Sequence, residues 1–131
     1  MSSKKKGTRL ERELFHLFWE NSWVGLRTAG SGSTTLPAPD LLASNGSRVL
    51  AIECKAGKAE IRRYLREEQI NELKEFSSKF GAEAWIGARF NGVKWLFLKL
   101  EDLGVSKKGT YYLDLELARE KGIGFEELVK K

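Results

Sequence analysis

The sequence predicts an α/β domain in which helices flank a mixed β-sheet. Three observations carry that prediction. Residues 8–21 and 65–80 place apolar side chains at helical spacing, residues 84–90 and 93–100 are near-continuous apolar runs, and Asn45-Gly46 and Asn91-Gly92 are strong hairpin signals. Helical segments alternating with apolar strands build layers around one sheet. At 131 residues the chain suits one domain with a single core.

Residues 1–6 read as a flexible basic tail, followed by a single domain over 7–131. Thr8 is the expected N-cap of the first helix, with Glu11 three residues on as in a capping box. The helix should run to about Asn21 and place Leu10, Leu14, Leu17 and Phe18 on one face. Glu11 falls at the edge of that buried stripe, while Arg9, Arg12, Glu13, His16 and Glu20 fall opposite. Residues 23–28 read as a short strand. Residues 29–39, rich in Gly, Ser, Thr and Pro, read as a loop. Residues 40–43 and 48–55 read as a hairpin about Asn45-Gly46. A polar, basic stretch precedes the second helix, which Gly81 should end. The apolar strands at 84–90 and 93–100 require burial on both faces. Residues 111–115 read as a last strand and 125–131 as a terminal helix.

Charge and composition narrow the function. The net charge is +5 and the isoelectric point about 9.4, which favours a polyanionic partner, nucleic acid or an acidic membrane surface. No apolar run approaches the roughly 20 residues needed to span a bilayer, so no membrane association by a helix is expected. The first residues are basic with no apolar stretch behind them, unlike a secretory signal. Cys54 is the single cysteine, which rules out an intramolecular disulfide and points to a reducing, cytoplasmic setting. His16 has no second histidine, which argues against a zinc site or a histidine-based triad.

The strand at 49–55 holds the chemistry. Alternation sends Leu50, Ile52 and Cys54 one way and Val49, Ala51, Glu53 and Lys55 the other. Cys54 is therefore a core residue. A two-residue turn at Asn45-Gly46 pairs Ser44 with Ser47 and sets Asp40 opposite Ala51. Glu53 is then the diagonal neighbour of Asp40 on the same face, about 7–8 Å away between alpha carbons. Two carboxylates so placed repel unless one is protonated or both share an ion. Their hard oxygens select Mg²⁺ or Mn²⁺, and the Cys54 carbonyl is a candidate third ligand. Lys55 adds an ammonium that holds water or meets phosphate charge, completing a set suited to phosphodiester hydrolysis. A surface salt bridge among Asp40, Glu53 and Lys55 is the plainer reading. The apolar strand opposes it, because buried charge is costly.

Pro39-Asp40 followed by Glu53-Cys54-Lys55 resembles the PD-(D/E)xK nuclease signature. "GTRLERELFHLF", "VGLRTAGS", "LPAPDLLA", "AIECK" and "EEQINELKEFSSKFG" resemble, in order and spacing, the archaeal Holliday junction resolvases. The resemblance runs from Gly7 to about Leu98. It implies a restriction-endonuclease-like mixed sheet and metal-dependent cleavage of four-way DNA junctions by paired nicks, in recombination and repair. It implies that Glu11 joins the active site, that Asp40 and Glu53 bind the metal with Glu11, and that Lys55 is catalytic. Arg12 and Arg27 match basic positions for handling the junction. Ser31 matches a serine in the loop of some members, and Gln69 a supporting glutamine on the following helix. Lys58, Arg62, Arg63 and Arg66 form a basic run beside the site, suited to tracking phosphates without reading sequence.

A junction has two-fold character, so a homodimer is expected, with the 84–98 hairpin or the C-terminal segment as its surface. A sliding clamp or a branch-migration helicase remains open as a further partner. The alternatives are another restriction-like or repair endonuclease of the same superfamily, or a DNA-binding module whose acids are structural.

Overall fold

The computed structural model describes residues 3–28 and 36–130. Its first element, helix α1 (Ser3–Glu20), starts upstream of the expected Thr8 cap. Lys4, Lys5 and Lys6 thus lie in its first turns rather than in a tail. Lysine is a good helix former, and nothing before Gly7 interrupts the run. Leu10, Leu14 and Phe18 are buried, and Phe15 and Leu17 pack half-buried beside them.

The main sheet has six strands: β1 (Val24–Arg27), β2 (Leu41–Ser44), β3 (Val49–Gly57), β5 (Glu83–Phe90), β6 (Leu96–Lys99) and β9 (Ile123–Gly124). They lie in the order β1-β2-β3-β5-β6-β9. Only β3 and β5 run parallel, and helix α2 (Glu67–Phe80) connects their layers. Gly81, at φ 78°, ends α2 as the sequence predicts. A smaller sheet joins β4 (Arg63–Leu65), β8 (Tyr111–Leu113) and β7 (Gly104–Val105) in the order β4-β8-β7. Helices α3 (Leu115–Lys121) and α4 (Phe125–Leu128) flank β9.

Register departs from the expectation in one instructive place. Ser44 pairs with Val49, and Leu41 with Ile52. The turn therefore takes four residues rather than two. The Asn45 carboxamide oxygen accepts from the Ser47 N–H at 2.9 Å and the Arg48 N–H at 2.8 Å, which wraps the chain around that side chain. The slip is two residues, so every side chain keeps its face.

The sheet separates two apolar layers. Leu50, Ile52, Trp85, Trp95 and Phe97 pack with α1 and α4, while Ala51, Ile86, Leu98 and Leu113 pack with α2 and α3. The 84–98 hairpin, expected as a dimer surface, is interior: Trp95 and Phe97 stack at 6.0 Å inside the first layer. The strand is apolar because it is central and covered on both faces. No helix among the described residues is long and apolar enough to cross a membrane.

Arg48 ties the hairpin to the end of the chain. Its guanidinium donates to both Glu83 carboxylate oxygens at 2.8 Å and to the Leu128 and Lys130 carbonyls at 2.7 and 2.8 Å. The ion pair holds the Glu83 carboxyl below its ordinary range. Arg48→Ala should lower stability by about 1–2 kcal/mol, read as an earlier urea midpoint at unchanged slope. Arg48→Lys, which cannot make the forked contact, should recover less than half of that loss.

Candidate active site

Asp40 is set by its backbone before its side chain acts. Pro39 is buried. The Thr28 hydroxyl donates to the Pro39 carbonyl at 2.6 Å, and the Thr28 N–H to the Asp40 carbonyl at 3.2 Å. Together they fix the chain where β1 ends and β2 begins. The Asp40 carboxylate then accepts from the Cys54 N–H at 2.8 Å, so the neighbouring strand itself orients it.

Extending the β2–β3 ladder one step sets Asp40 directly across from Glu53, closer than the predicted diagonal. The Glu53 Oε2 lies 3.5 Å from the Lys55 Nζ. Both side chains share the face of Ile86 and Ala88, the layer beneath α2. The Lys55 side chain is only 12% exposed. Cys54 points into the opposite layer, where burial pushes its thiol well above the ordinary range. It is the core residue that alternation requires.

The electrostatics show a pair of acids under strain. Burial, and then the Asp40 charge, push Glu53 up to about 7, against the opposing pull of Lys55. Asp40 is also raised by burial, with the Cys54 N–H and Lys55 working against it. Glu11, half-buried on α1, is raised by burial and then by Asp40, and pairs with Arg27 at 3.6 Å. Among the described residues, no three His, Cys, Asp or Glu side chains stand close enough to hold an ion by themselves. Glu11 is thus within electrostatic reach of the pair without closing a three-acid cage. Two facing carboxylates that resist double ionisation still fit a hard divalent cation, which removes their repulsion and keeps much of its own water.

The remaining predicted residues are distributed unevenly. Arg12 is exposed on α1, and Gln69 is half-buried on the first turn of α2. Arg27 faces Glu11 with its Nε buried and unbonded to any described group. Lys58 and Arg66 are exposed. Arg63 bonds the Ala56 carbonyl, and Arg62 pairs with Asp114 at 3.3 Å. Ser31 lies outside the described residues.

Sequence reasoning missed the groups that brace the site. Glu13, two residues after Glu11, accepts from the Trp95 indole at 2.7 Å and from Arg89 at 3.1 Å, locking α1 to the β5–β6 hairpin. Arg89 also bonds the Phe90 and Val93 carbonyls. A lone arginine in the apolar run EAWIGARF was the available signal. Thr28 gave none.

The raised acid fixes a pH dependence for the protein in chelator. Unfolded Glu53 ionises near 4.5 and folded Glu53 near 7, so the fold holds the proton more tightly. Its contribution is complete below pH 4.5 and lost as pH rises through 7. Thermal unfolding in chelator should therefore fall by up to about 3 kcal/mol across that window. Glu53→Gln should flatten the fall. The depressed Glu83 acts in the opposite sense, below the usual carboxylate range, and leaves this window clear.

A model of the family described as archaeal Holliday junction resolvase (Hjc) matches residues 2–131. The crossover junction endodeoxyribonuclease Hjc of Archaeoglobus fulgidus is 38% identical over 130 residues, covering 95% of each chain. The enzyme of that name from Sulfolobus acidocaldarius is 34% identical over 131 residues, covering 99% of this chain and 90% of its own. The solved structure of Archaeoglobus fulgidus Hjc, a Holliday junction resolvase, superposes with a TM-score of 0.84 at 30% identity, over 95% of this chain and 100% of that one. The fold is that of the resolvase, as the mixed sheet implied, and the chain belongs to the archaeal Holliday junction resolvase family.

Proposed function

We propose that the chain is a structure-selective endonuclease that cuts four-way DNA junctions, and that Asp40, Glu53 and Lys55 carry the hydrolysis. The supporting observation is the direct opposition of two half-buried, mutually repelling carboxylates with a lysine ammonium 3.5 Å from one of them. A divalent ion, Mg²⁺ or Mn²⁺, would be held by Asp40 and Glu53 and would supply acidified water and a polarised phosphoryl oxygen. Asp40 is held by the Cys54 N–H, so it would be oriented for such an ion in advance. Lys55 holds the attacking water and neutralises charge on the phosphate. Water adds to phosphorus and one ester oxygen leaves. Glu11 tunes the pair from α1, and Arg27 keeps it in place. Arg12, Lys58 and Arg66 contact phosphates, and Gln69 supports the site from α2.

Two nicks in opposed strands require two sites, so the working form is a homodimer. The exposed apolar surface suited to it is on α2. Phe76 and Phe80 stack at 5.1 Å, Phe80 is 55% exposed, and Leu36 and Pro37 border them. This patch replaces the 84–98 hairpin as the pairing surface.

Purified protein should cut an immobile four-way junction in Mg²⁺ and not in chelator, and should leave a linear duplex of matching sequence largely intact. Equal cutting of both would mark a less selective endonuclease. Asp40→Asn should reduce cleavage on the order of a thousand-fold while keeping junction affinity, whereas a binding module would have no cleavage to lose. Phe80→Glu should shift the dimer to monomer in sedimentation and turn paired nicks into single ones.

A further inference from the structure

The small β4-β8-β7 sheet takes no part in the chemistry above, yet it stands beside it. Arg63 of β4 bonds the Ala56 carbonyl, one residue beyond Lys55, so β4 is moored at the active-site end of β3. Its inner face carries Leu65 and Leu113 into the core. Register pairs Tyr64 with Tyr112 on the opposite, outer face.

That outer face carries two rings tilted 60° to one another. A side chain at Gly104 would run into the Tyr112 ring, so the glycine lets the ring lie down across the sheet. The Arg62 guanidinium covers the same ring at 3.8 Å and is held by Asp114 at 3.3 Å. Tyr64 stands alongside, its ring centre 6.5 Å from that of Tyr112 and the residue 58% exposed. Ile61, 52% exposed, sits on the preceding turn, which is closed by its N–H to the Lys58 carbonyl at 3.1 Å. An exposed aromatic beside a guanidinium held over a ring has no purpose in a core. Both are planar groups on which bases stack. Lys58 and Arg66, both exposed, lie before and after this stretch of the chain, as do the exposed acids Glu60 and Glu67.

We infer that Arg62, Tyr64 and Tyr112 form a stacking shelf for a base displaced from its stack at the branch point of the junction. The inference rests on the junction-cutting function proposed above. It reassigns Arg62 from a phosphate contact to a planar support. A continuous duplex offers no free base face, whereas a branch point does, so the shelf favours junctions over linear DNA.

The test is a binding cycle in the Asp40→Asn background, with an intact junction, junctions carrying one abasic nucleotide next to the branch point, and a linear duplex. Tyr64→Ala should weaken binding to the intact junction about ten-fold and leave duplex binding and the salt dependence unchanged. Tyr64→Phe should restore it. Arg62→Lys, which keeps charge but loses the plane, should weaken junction binding in the same selective way. The abasic junction that lacks the stacked base should bind the parent weakly and be insensitive to Tyr64→Ala. Additive effects at every abasic position, or equal losses on duplex and junction, would overturn the shelf while leaving the nuclease intact. A parent that neither cuts nor prefers junctions would overturn both.

Discussion

Two carboxyl groups brought face to face on neighbouring strands cannot both carry charge at low cost, and the rest of this site is arranged around that constraint. Asp40 and Glu53 occupy it because β2 and β3 pair as they do. One of them keeps a proton up to about pH 7, and the proposed cation would take that proton's place. Lys55 adjoins the pair without cancelling it: its pull on Glu53 is smaller than the effects of burial and Asp40. The molecule thus stores an unmet demand for positive charge at one point in a covered layer.

The supports of that point come from distant parts of the chain. Thr28 holds Asp40 from β1, and the Cys54 amide holds it from β3. Glu13, bonded to Trp95 and Arg89, fixes the rotation of the helix that presents Glu11. The Asn45 turn sets the register and Arg48 locks it against Glu83 and the final helix. A slip of one residue at that turn would send Glu53 and Lys55 into the layer of Leu50 and Ile52. Correct register and the proposed site are therefore one property.

This explains what was legible in the sequence. Alternation along residues 49–55 separates Glu53 and Lys55 from Cys54 whatever the turn length, as long as the slip is even. The error at Asn45-Gly46 consequently altered the Asp40–Glu53 separation and not their shared face. Gly81 and the spacing of Ile70 and Leu73 made α2 readable, although its start overran into β4. Strands of two or three residues, such as β4, β7 and β9, hold too few alternations to show a period. Their partners lie far along the chain, so no local pattern announces them. The aromatic strands at 84–98 were open to two readings, core or interface, and only the sheet order decides between them. Family resemblance supplied Glu11 and Arg27 separately, one as an active-site acid and one as a basic position for the junction, and their ion pair at 3.6 Å was not legible in the sequence.

Calorimetric titration of Mn²⁺ into the chelator-treated protein at pH 6, repeated in buffers of different ionisation enthalpy, tests the shared-cation account most directly. The account predicts saturable binding that expels close to one proton per ion and disappears in both Asp40→Asn and Glu53→Gln. Undiminished binding in either variant, or uptake of the ion with no proton released, would contradict it.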